Sequence, residues 1–483
     1  MTTAKTKKAQ GAGFNPLSRE NIEALTMAII MAVMLKYFIV EAYKIPTGSM
    51  QPTLLGNEDT GIFDRIIVDK ASYHFRDPAR WEVAVFKYPL DRSKNFIKRI
   101  CGMPGEHFRI DGGDLWTRPD EASDWMILRR TRPIQLEVWK HINPADARYA
   151  AWKTLSDAKG WTIEGRAKIA ARGDGAVRLP IDGGPVLDMY SDGYPSNMGA
   201  KLTRARSAPG LNACSDLCVT GNVEALPGAK RVVVELSEGT RRYTFELPGP
   251  AAPADARAKI TASLGNEPWP GSTEASGSAP WKLSAGKNIS FVAQNMDDLL
   301  QLEIDGDIVA TLEIPRATDQ TASYVLRVEG EGADFDDVEI YRDIYYTPGT
   351  KGRDFKIPLG NYVMLGDNTL DSHDSREWMF AHYSWPGPGS EGRDVRGQYY
   401  ANSNPQRVPD AAGSLIFFRD EWGELHDFPE RSATEGQRTA ASFVPRNLIT
   451  GRAVIVFWPL TWIWPGDWNN PQVPKVTRLR WIR

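Results

Sequence analysis

Ile45-Pro46-Thr47-Gly48-Ser49-Met50-Gln51-Pro52-Thr53-Leu54 is a turn-rich apolar segment that starts a few residues past the chain's single membrane-compatible stretch, Ala24 to Val40. Pro46, Gly48 and Pro52 all favour bends, so Ser49 taken alone is as readily a turn serine as a reactive one. Two later blocks change that balance. About fifty residues on, Phe96-Ile97-Lys98-Arg99-Ile100-Cys101-Gly102-Met103-Pro104-Gly105 sets one lysine, Lys98, in an apolar run. Far downstream comes Gly366-Asp367-Asn368-Thr369-Leu370-Asp371-Ser372-His373-Asp374-Ser375-Arg376.

Ala24 to Val40 is close to the minimum of about 17 apolar residues for a spanning helix, with Lys36 and Tyr37 placed to reach the nearer interface. Lys5, Lys7, Lys8 and Arg19 precede it, so the positive-inside rule puts the N-terminus in the cytoplasm and everything after Val40 outside. The rival reading is a cleaved signal peptide, for which Val40-Glu41-Ala42 loosely supplies the small-residue pattern. The length of the apolar stretch and the nearness of Ser49 favour an uncleaved anchor.

The chain has 483 residues, enough for two to four domains. With 58 basic and 61 acidic residues and no long basic block, nothing points to a nucleic-acid partner. Three cysteines make neither a disulfide framework nor a zinc site, and no metal or cofactor is called for. Cys214 and Cys218 are spaced for a local disulfide if they lie outside the cytoplasm. Cys101, in an apolar run, reads as a buried structural thiol.

Together the three blocks resemble the bacterial type I signal peptidases, or leader peptidases, a serine protease family that works with a serine and lysine pair. The resemblance implies an antiparallel β catalytic domain at the extracytoplasmic face of the bacterial inner membrane, acting on the signal peptides of exported preproteins. Alternating strands from Arg231 to Leu236, Arg242 to Leu247, Asn288 to Val292, Leu299 to Ile304, Ile308 to Ile314, Tyr324 to Val328 and Asp337 to Tyr341 predict a separate β-sandwich between the lysine block and the third block. Asp305-Gly306 marks a hairpin within it. Its end, Leu302 to Ile314 and Gly330 to Val338, resembles concanavalin-like or laminin-G-like jelly rolls, which implies a glycan or protein ligand. The expected chain is therefore mainly β. It has a cytoplasmic segment 1–21, a transmembrane anchor 22–42, a catalytic domain in two parts, 43–159 and 344–483, and an inserted jelly-roll sandwich 160–343. Gln135 to Trp139 continues the strand rhythm, while Pro248 to Pro280 and Trp385 to Gly413 have linker composition.

Peptide-bond hydrolysis by serine needs a base, donors for the oxyanion, and a groove that holds the substrate in line. An ordinary lysine near pKa 10.4 is about 99.9% protonated at pH 7, so Lys98 serves as base only if burial among Phe96, Ile97 and Ile100 depresses it. By resemblance Ser49 is the nucleophile and Lys98 the general base. The Ser49 N–H and the Thr47 hydroxyl form the oxyanion hole, Ser372 orients the lysine, and Asp374 and Arg376 brace the site. The family often has serine at the Thr47 position, arginine at Thr369, and Gly-Asp where Trp81-Glu82 stands. Tyr43, Ile45, Pro46, Met50, Leu54 and Ile97 are expected to line a shallow apolar groove for small side chains at −1 and −3. Trp458, Trp462, Trp464 and Trp468 either meet the lipid interface or pack the domain's own rim.

Three rivals remain in view. A Ser-His-Asp site would use His373 and Asp374, whose adjacency makes a line to the serine hard to build. A repressor-type Ser-Lys autoprotease shares the dyad but has no anchor. The other class is a membrane-tethered carbohydrate- or protein-binding module with a vestigial protease domain, its acidic Asp334-Phe335-Asp336-Asp337 offering calcium or sugar contacts.

Overall fold

The computed structural model describes residues 19–57, 62–142, 152–155, 159–164, 168–179, 186–188, 212–265, 269, 271–316, 321–349, 352–386, 392–400, 403–411, 413–463, 472–474 and 476–483. Lys5, Lys7, Lys8, Trp464 and Trp468 lie outside them, as does the side chain of Trp462.

An α-helix, Arg19–Met34, passes through a π turn, Leu35–Ile39, to give one rod of 21 residues with mean hydropathy 1.9 and no buried side chain. A helix that is apolar all round yet has no side chain buried against the described residues suits lipid. At 1.5 Å per residue it spans about 30 Å, the thickness of a hydrocarbon core. The rod ends at Ile39, earlier than the expected boundary at 42, because Val40–Lys44 is already a strand paired antiparallel with Ile62–Asp69. Lys70 holds the junction. Its backbone N–H donates to the Ile39 carbonyl at 2.8 Å, and its ammonium reaches the Lys36 carbonyl at 3.3 Å and Glu41 at 3.1 Å.

The sheet that carries the sequence blocks runs, edge to edge, Val40–Lys44, Ile62–Asp69, Ile449–Ile463, Val83–Tyr88, Asp91–Gly102, Asn361–Leu365, Val444–Pro445, all neighbours antiparallel. The lysine strand Asp91–Gly102 therefore sits between a strand close in sequence and one that follows the whole insertion. A four-stranded sheet beside it, Asp354–Lys356, His107–Asp111, Asp114–Arg118 and Met126–Ile127, is likewise stitched across the insertion.

The insertion is a sandwich of a seven-stranded and an eight-stranded antiparallel sheet. Six of the seven predicted strands lie within its strands and the seventh, Ile308 to Ile314, overruns Asp307–Glu313 by one residue; one continuous core, with Val234, Phe245, Phe291, Leu302, Tyr324 and Phe335 among its members, fills the space between the sheets. Asp305 and Gly306 both take positive φ, 50° and 90°, as a two-residue hairpin turn requires. The sandwich begins some twenty residues earlier than expected. Lys140–His141 already pairs with Tyr341 and Arg342, and Ile142 and Trp152 enter the core.

Three local expectations fail for physical reasons. Gln135–Trp139 is not a strand: Arg132–Val138 is a short helix begun by Pro133, with Gln135, Glu137 and Val138 turned inward. Pro248 to Pro280 is not a bare linker, since Lys259–Leu264 and Glu274–Ser276 extend the seven-stranded sheet. Trp385 to Gly413 is mostly strand. Met379–Pro386 pairs with Gly392–Gln398, and Gln406–Asp410 opens a three-stranded sheet, around a small core of Ala381, Tyr383, Ile416, Phe418 and Phe428. The acidic Asp334 to Asp337 run lies inside strand Gly332–Arg342, with Asp334 ion-paired to Arg172. Cys101, Cys214 and Cys218 are buried and none is in a disulfide, and burial pushes the Cys101 thiol up to about 12.

Candidate active site

Successive side chains of a strand face opposite ways, and Lys98 and Arg99 divide two tasks on that basis. Lys98 Nζ donates to Ser49 Oγ at 2.6 Å, with the two residues 4% and 7% exposed. Loss of hydration holds the Lys98 amine down at about 8 from its ordinary 10.5; Asp374 opposes that shift and Arg376 adds to it. Arg99 points the other way, fully buried, and forks onto Asp367 at 2.8 and 2.7 Å, while also reaching the carbonyls of Trp81 and Arg483 and the hydroxyl of Thr53. Thr53 donates to Asp367 as well. One buried ion pair thus ties the serine turn, the lysine strand and the third block together.

The third block closes over the serine. Asn368 donates its backbone N–H to the Ser49 carbonyl at 3.1 Å and its amide to the Gly48 carbonyl at 3.0 Å. Ser372 Oγ donates to Asp374 Oδ2 at 2.7 Å, and the remaining Asp374 contacts are the Gly366 N–H and the Arg376 guanidinium and N–H. Asp374 is accordingly held below the usual carboxylate range despite full burial, by the charge and hydrogen bonds of Arg376. Its oxygens are engaged away from His373, whose Nε2 meets the Tyr88 hydroxyl at 3.3 Å, so the Ser-His-Asp line is not formed. Thr369 uses its hydroxyl on the Tyr345 carbonyl at 2.8 Å.

A cleft of about 570 Å³ opens over the dyad, walled by Pro46, Thr47 and Asn95 to Lys98 on one side and Leu370 to His373 on the other. Thr47 stands exposed at its lip. Of the expected groove residues, Pro46 and Ile97 line this cleft. Ile45, Met50 and Leu54 do not: at 2%, 0% and 0% exposure they form the core beneath the serine turn with Ile66, Val68, Val83 and Val85, and Tyr43 packs against that core. An apolar residue on the inner side of a turn has its own domain to cover, which spacing alone does not reveal. Trp458 is 41% exposed on strand Ile449–Ile463.

Sequence reasoning missed three supports. Arg99 and Thr53 were quoted without a role, although a charge next to Lys98 in a strand must point away from it and find a partner. Lys140 gave no signal at all; its buried amine donates to the Gln51 carbonyl at 2.7 Å, two residues from Ser49. Trp81 stands where the resemblance implies glycine. It sits at φ 74°, the left-handed region that glycine adopts freely, and is held there by a buried ring with the Arg130 guanidinium 5.1 Å from its centroid.

Gly366 makes the closest approach in the site. A Cβ there would lie 2.1 Å from Ser372 Oγ and 2.5 Å from the Ser49 carbonyl oxygen, and the second contact is backbone. Gly366→Ala is expected to cost about 1–3 kcal/mol in stability through overpacking and to depress activity further by displacing the serine. Paired thermal unfolding and cleavage assays would read both, and an alanine variant indistinguishable from wild type would contradict the packing described here.

Fold and site define a class, a serine and a buried lysine in contact on an antiparallel sheet that continues directly from a membrane-compatible helix. Residues 18–132 match the family model described as signal peptidase, peptidase S26. The chain is similar to a probable signal peptidase I-2 of Synechocystis, 41% identical over 100 residues covering 20% of this chain and 43% of the relative. It is also similar to signal peptidase I of Leptolyngbya laminosa, 37% identical over 123 residues covering 23% and 57%. The chain thus spans about half the length of these relatives. Among solved structures, a carbohydrate-binding module from Bacillus subtilis overlaps 42% of this chain and 94% of its own at 15% identity, with a TM-score of 0.21, too low to bear on what the sandwich does.

Proposed function

We propose that this protein is a membrane-anchored serine endopeptidase that removes signal peptides from exported preproteins at the outer face of the bacterial cytoplasmic membrane, cutting after small residues at −3 and −1. The observation that carries the reading is the buried Ser49–Lys98 contact at 2.6 Å with the amine held at about 8. Neutral Lys98 takes the Ser49 proton as Oγ attacks the scissile carbonyl, and the same ammonium then protonates the leaving amine. The Ser49 N–H and the Thr47 hydroxyl receive the oxyanion. Ser372, fixed by Asp374, confines the lysine, and the Asp374–Arg376 pair supports that serine without taking part in proton transfer. An extended substrate adds beside Asn95 to Lys98. Among the described residues the lysine strand is paired on the side of Asn361–Leu365 from Arg99 to Gly102, which leaves the Asn95 to Lys98 edge there for main-chain bonds. Pro46 and Ile97 would then limit the side chains at the cleavage site.

The test is cleavage of a signal-peptide-bearing preprotein by the full chain reconstituted in liposomes. Ser49→Ala is expected to be inactive while folded, and substantial residual cleavage by it would sink the dyad. The pH dependence follows from Lys98. Only the neutral amine is a base, so kcat/KM rises about tenfold per pH unit below 8 and levels off above it. A profile flat from pH 6 to 10 would exclude lysine as the base.

A further inference from the structure

Away from the catalytic cleft, the junction between the inserted sandwich and the hairpin His107–Arg118 gathers carboxylates from segments far apart in sequence. Asp114 comes from the hairpin, Asp216 from the entry to a sandwich strand, and Asp297 from the two-residue turn between Asn288–Met296 and Leu299–Ile304. One oxygen of each lies within 4.8 Å of the others. That limit is the span of two oxygens on opposite sides of a cation bound at about 2.4 Å, within the range of calcium–oxygen bonds.

Two further observations point to a missing positive centre. Asp297 is 2% exposed and its Oδ2 accepts no hydrogen bond, the nearest cationic atom being Arg130 Nη1 at 3.9 Å. Asp343, 4% exposed, gives Oδ2 to Arg130 at 2.5 Å but leaves Oδ1 without a donor. Asp343, Asp114 and Asp216 line one small cavity of about 10 Å³, together with Gly112, Gly113 and Ser215. That is room for about one water-sized sphere. The arginines nearby are committed elsewhere: Arg129 pairs with Glu313 at 2.6 Å and Arg316 with Asp111 at 2.9 Å. Buried carboxylate oxygens without donors cost several kcal/mol each if charged and unmatched. Burial and mutual repulsion raise the protonation range of Asp114, Asp216 and Asp297 above that of an ordinary carboxylate.

We propose that a calcium ion binds among Asp114, Asp216 and Asp297, with Asp343 beside them, and pins the inserted sandwich to the hairpin of the catalytic part. An all-oxygen, carboxylate-rich donor set selects a hard cation. The irregular arrangement and the lack of space for a retained water shell favour calcium over magnesium. The ion would act as a structural clasp at a junction that Arg130 and the Arg129–Glu313 and Arg316–Asp111 pairs also bridge.

The proposal is tested on the full chain in detergent, stripped with EDTA and titrated with calcium chloride or magnesium chloride, by calorimetry and thermal unfolding. Wild type is expected to bind one equivalent of calcium, more tightly than magnesium, with a rise of a few degrees in midpoint at saturation. Asp216→Asn/Asp297→Asn is expected to lose the binding and the rise, and to unfold at a higher temperature than wild type in EDTA, because two crowded charges are gone. The milder Asp114→Asn should weaken calcium binding at least tenfold, and Asp334→Asn, outside the cluster, should leave it intact. Wild type that neither binds nor responds to millimolar calcium would overturn the proposal, showing carboxylates that simply share protons. An undiminished response in the double variant would overturn it equally.

Discussion

Lys98→Met should abolish cleavage and yet make the folded protein more stable at neutral pH. Methionine keeps the volume of the lysine stem but has no basic nitrogen, so kcat is expected to fall at least about 10³-fold. The stability change has the opposite sign because Lys98 is buried at a cost. Its amine is held at about 8 in the folded protein and titrates near 10.5 when exposed. Below pH 8 both states are protonated and the folded one carries the full penalty, about 3 kcal/mol for a shift of this size. Between 8 and 10.5 the unfolded chain binds more protons, so stability rises with pH. Above 10.5 both states are neutral and the penalty is gone. After allowance for the lost Ser49 hydrogen bond, at about 1 kcal/mol, Lys98→Met gains about 2 kcal/mol at pH 7 and loses about 1 kcal/mol at pH 11. Denaturant midpoints of both proteins at the two pH values would measure it. A methionine variant destabilised at pH 7 would mean that the amine is not held in its neutral-favouring state.

Asp367→Ala should be among the most damaging single changes away from the dyad. Arg99 and Asp367 are each 0% exposed, and removal of the carboxylate strands a guanidinium with no water to turn to. Breaking such a pair costs about 3–5 kcal/mol, more than most core truncations of similar size. Activity should fall with it, since Thr53 loses its acceptor on the serine turn and Asn368, the next residue, no longer holds the Ser49 and Gly48 carbonyls in place. The double change Arg99→Met/Asp367→Leu should recover a good part of the stability, because an apolar pair of matched volume needs no counter-charge. Urea unfolding of the two variants decides the matter, and an alanine variant within 1 kcal/mol of wild type would be incompatible with a closed, water-free pair.

The Ser49–Lys98 contact was legible because the chemistry expected of it restricts which residue types can serve. A lysine flanked by Phe96, Ile97 and Ile100 asks how it loses its charge, and Ser49 in a bend supplies the answer. The sandwich strands were legible from alternation, which a half-buried strand cannot avoid. Met50 and Leu54 were misplaced because an apolar side chain on a turn reads the same whether it faces a groove or its own core. Gln135 to Trp139 reads as a strand by pattern, but Pro133 at a helix start and the inward demands of Glu137 and Val138 decide otherwise. The 379–440 module was hidden by glycine and proline content, its Tyr383, Phe418 and Phe428 being too far apart to show as one core. Arg99 and Asp367 are separated by 268 residues, and Asp114, Asp216 and Asp297 stand about a hundred and about eighty residues apart in turn; no local pattern announces partners at such distances.

That long separation has a consequence for the life of each molecule. A nascent chain presents Ser49 and Lys98 early, but the wall from Leu370 to His373, the Asn368 bonds and the Asp367 counter-charge are all still inside the ribosome. At about 5–20 residues per second, tens of seconds pass before they emerge. In that interval Lys98 is hydrated and cationic, without the neutral amine that the proposed mechanism needs, and the sandwich has time to form as a unit of its own. On the proposed mechanism every new copy is therefore expected to be dormant at first, and a product broken off ahead of Asp367 to stay so, however intact its serine and lysine.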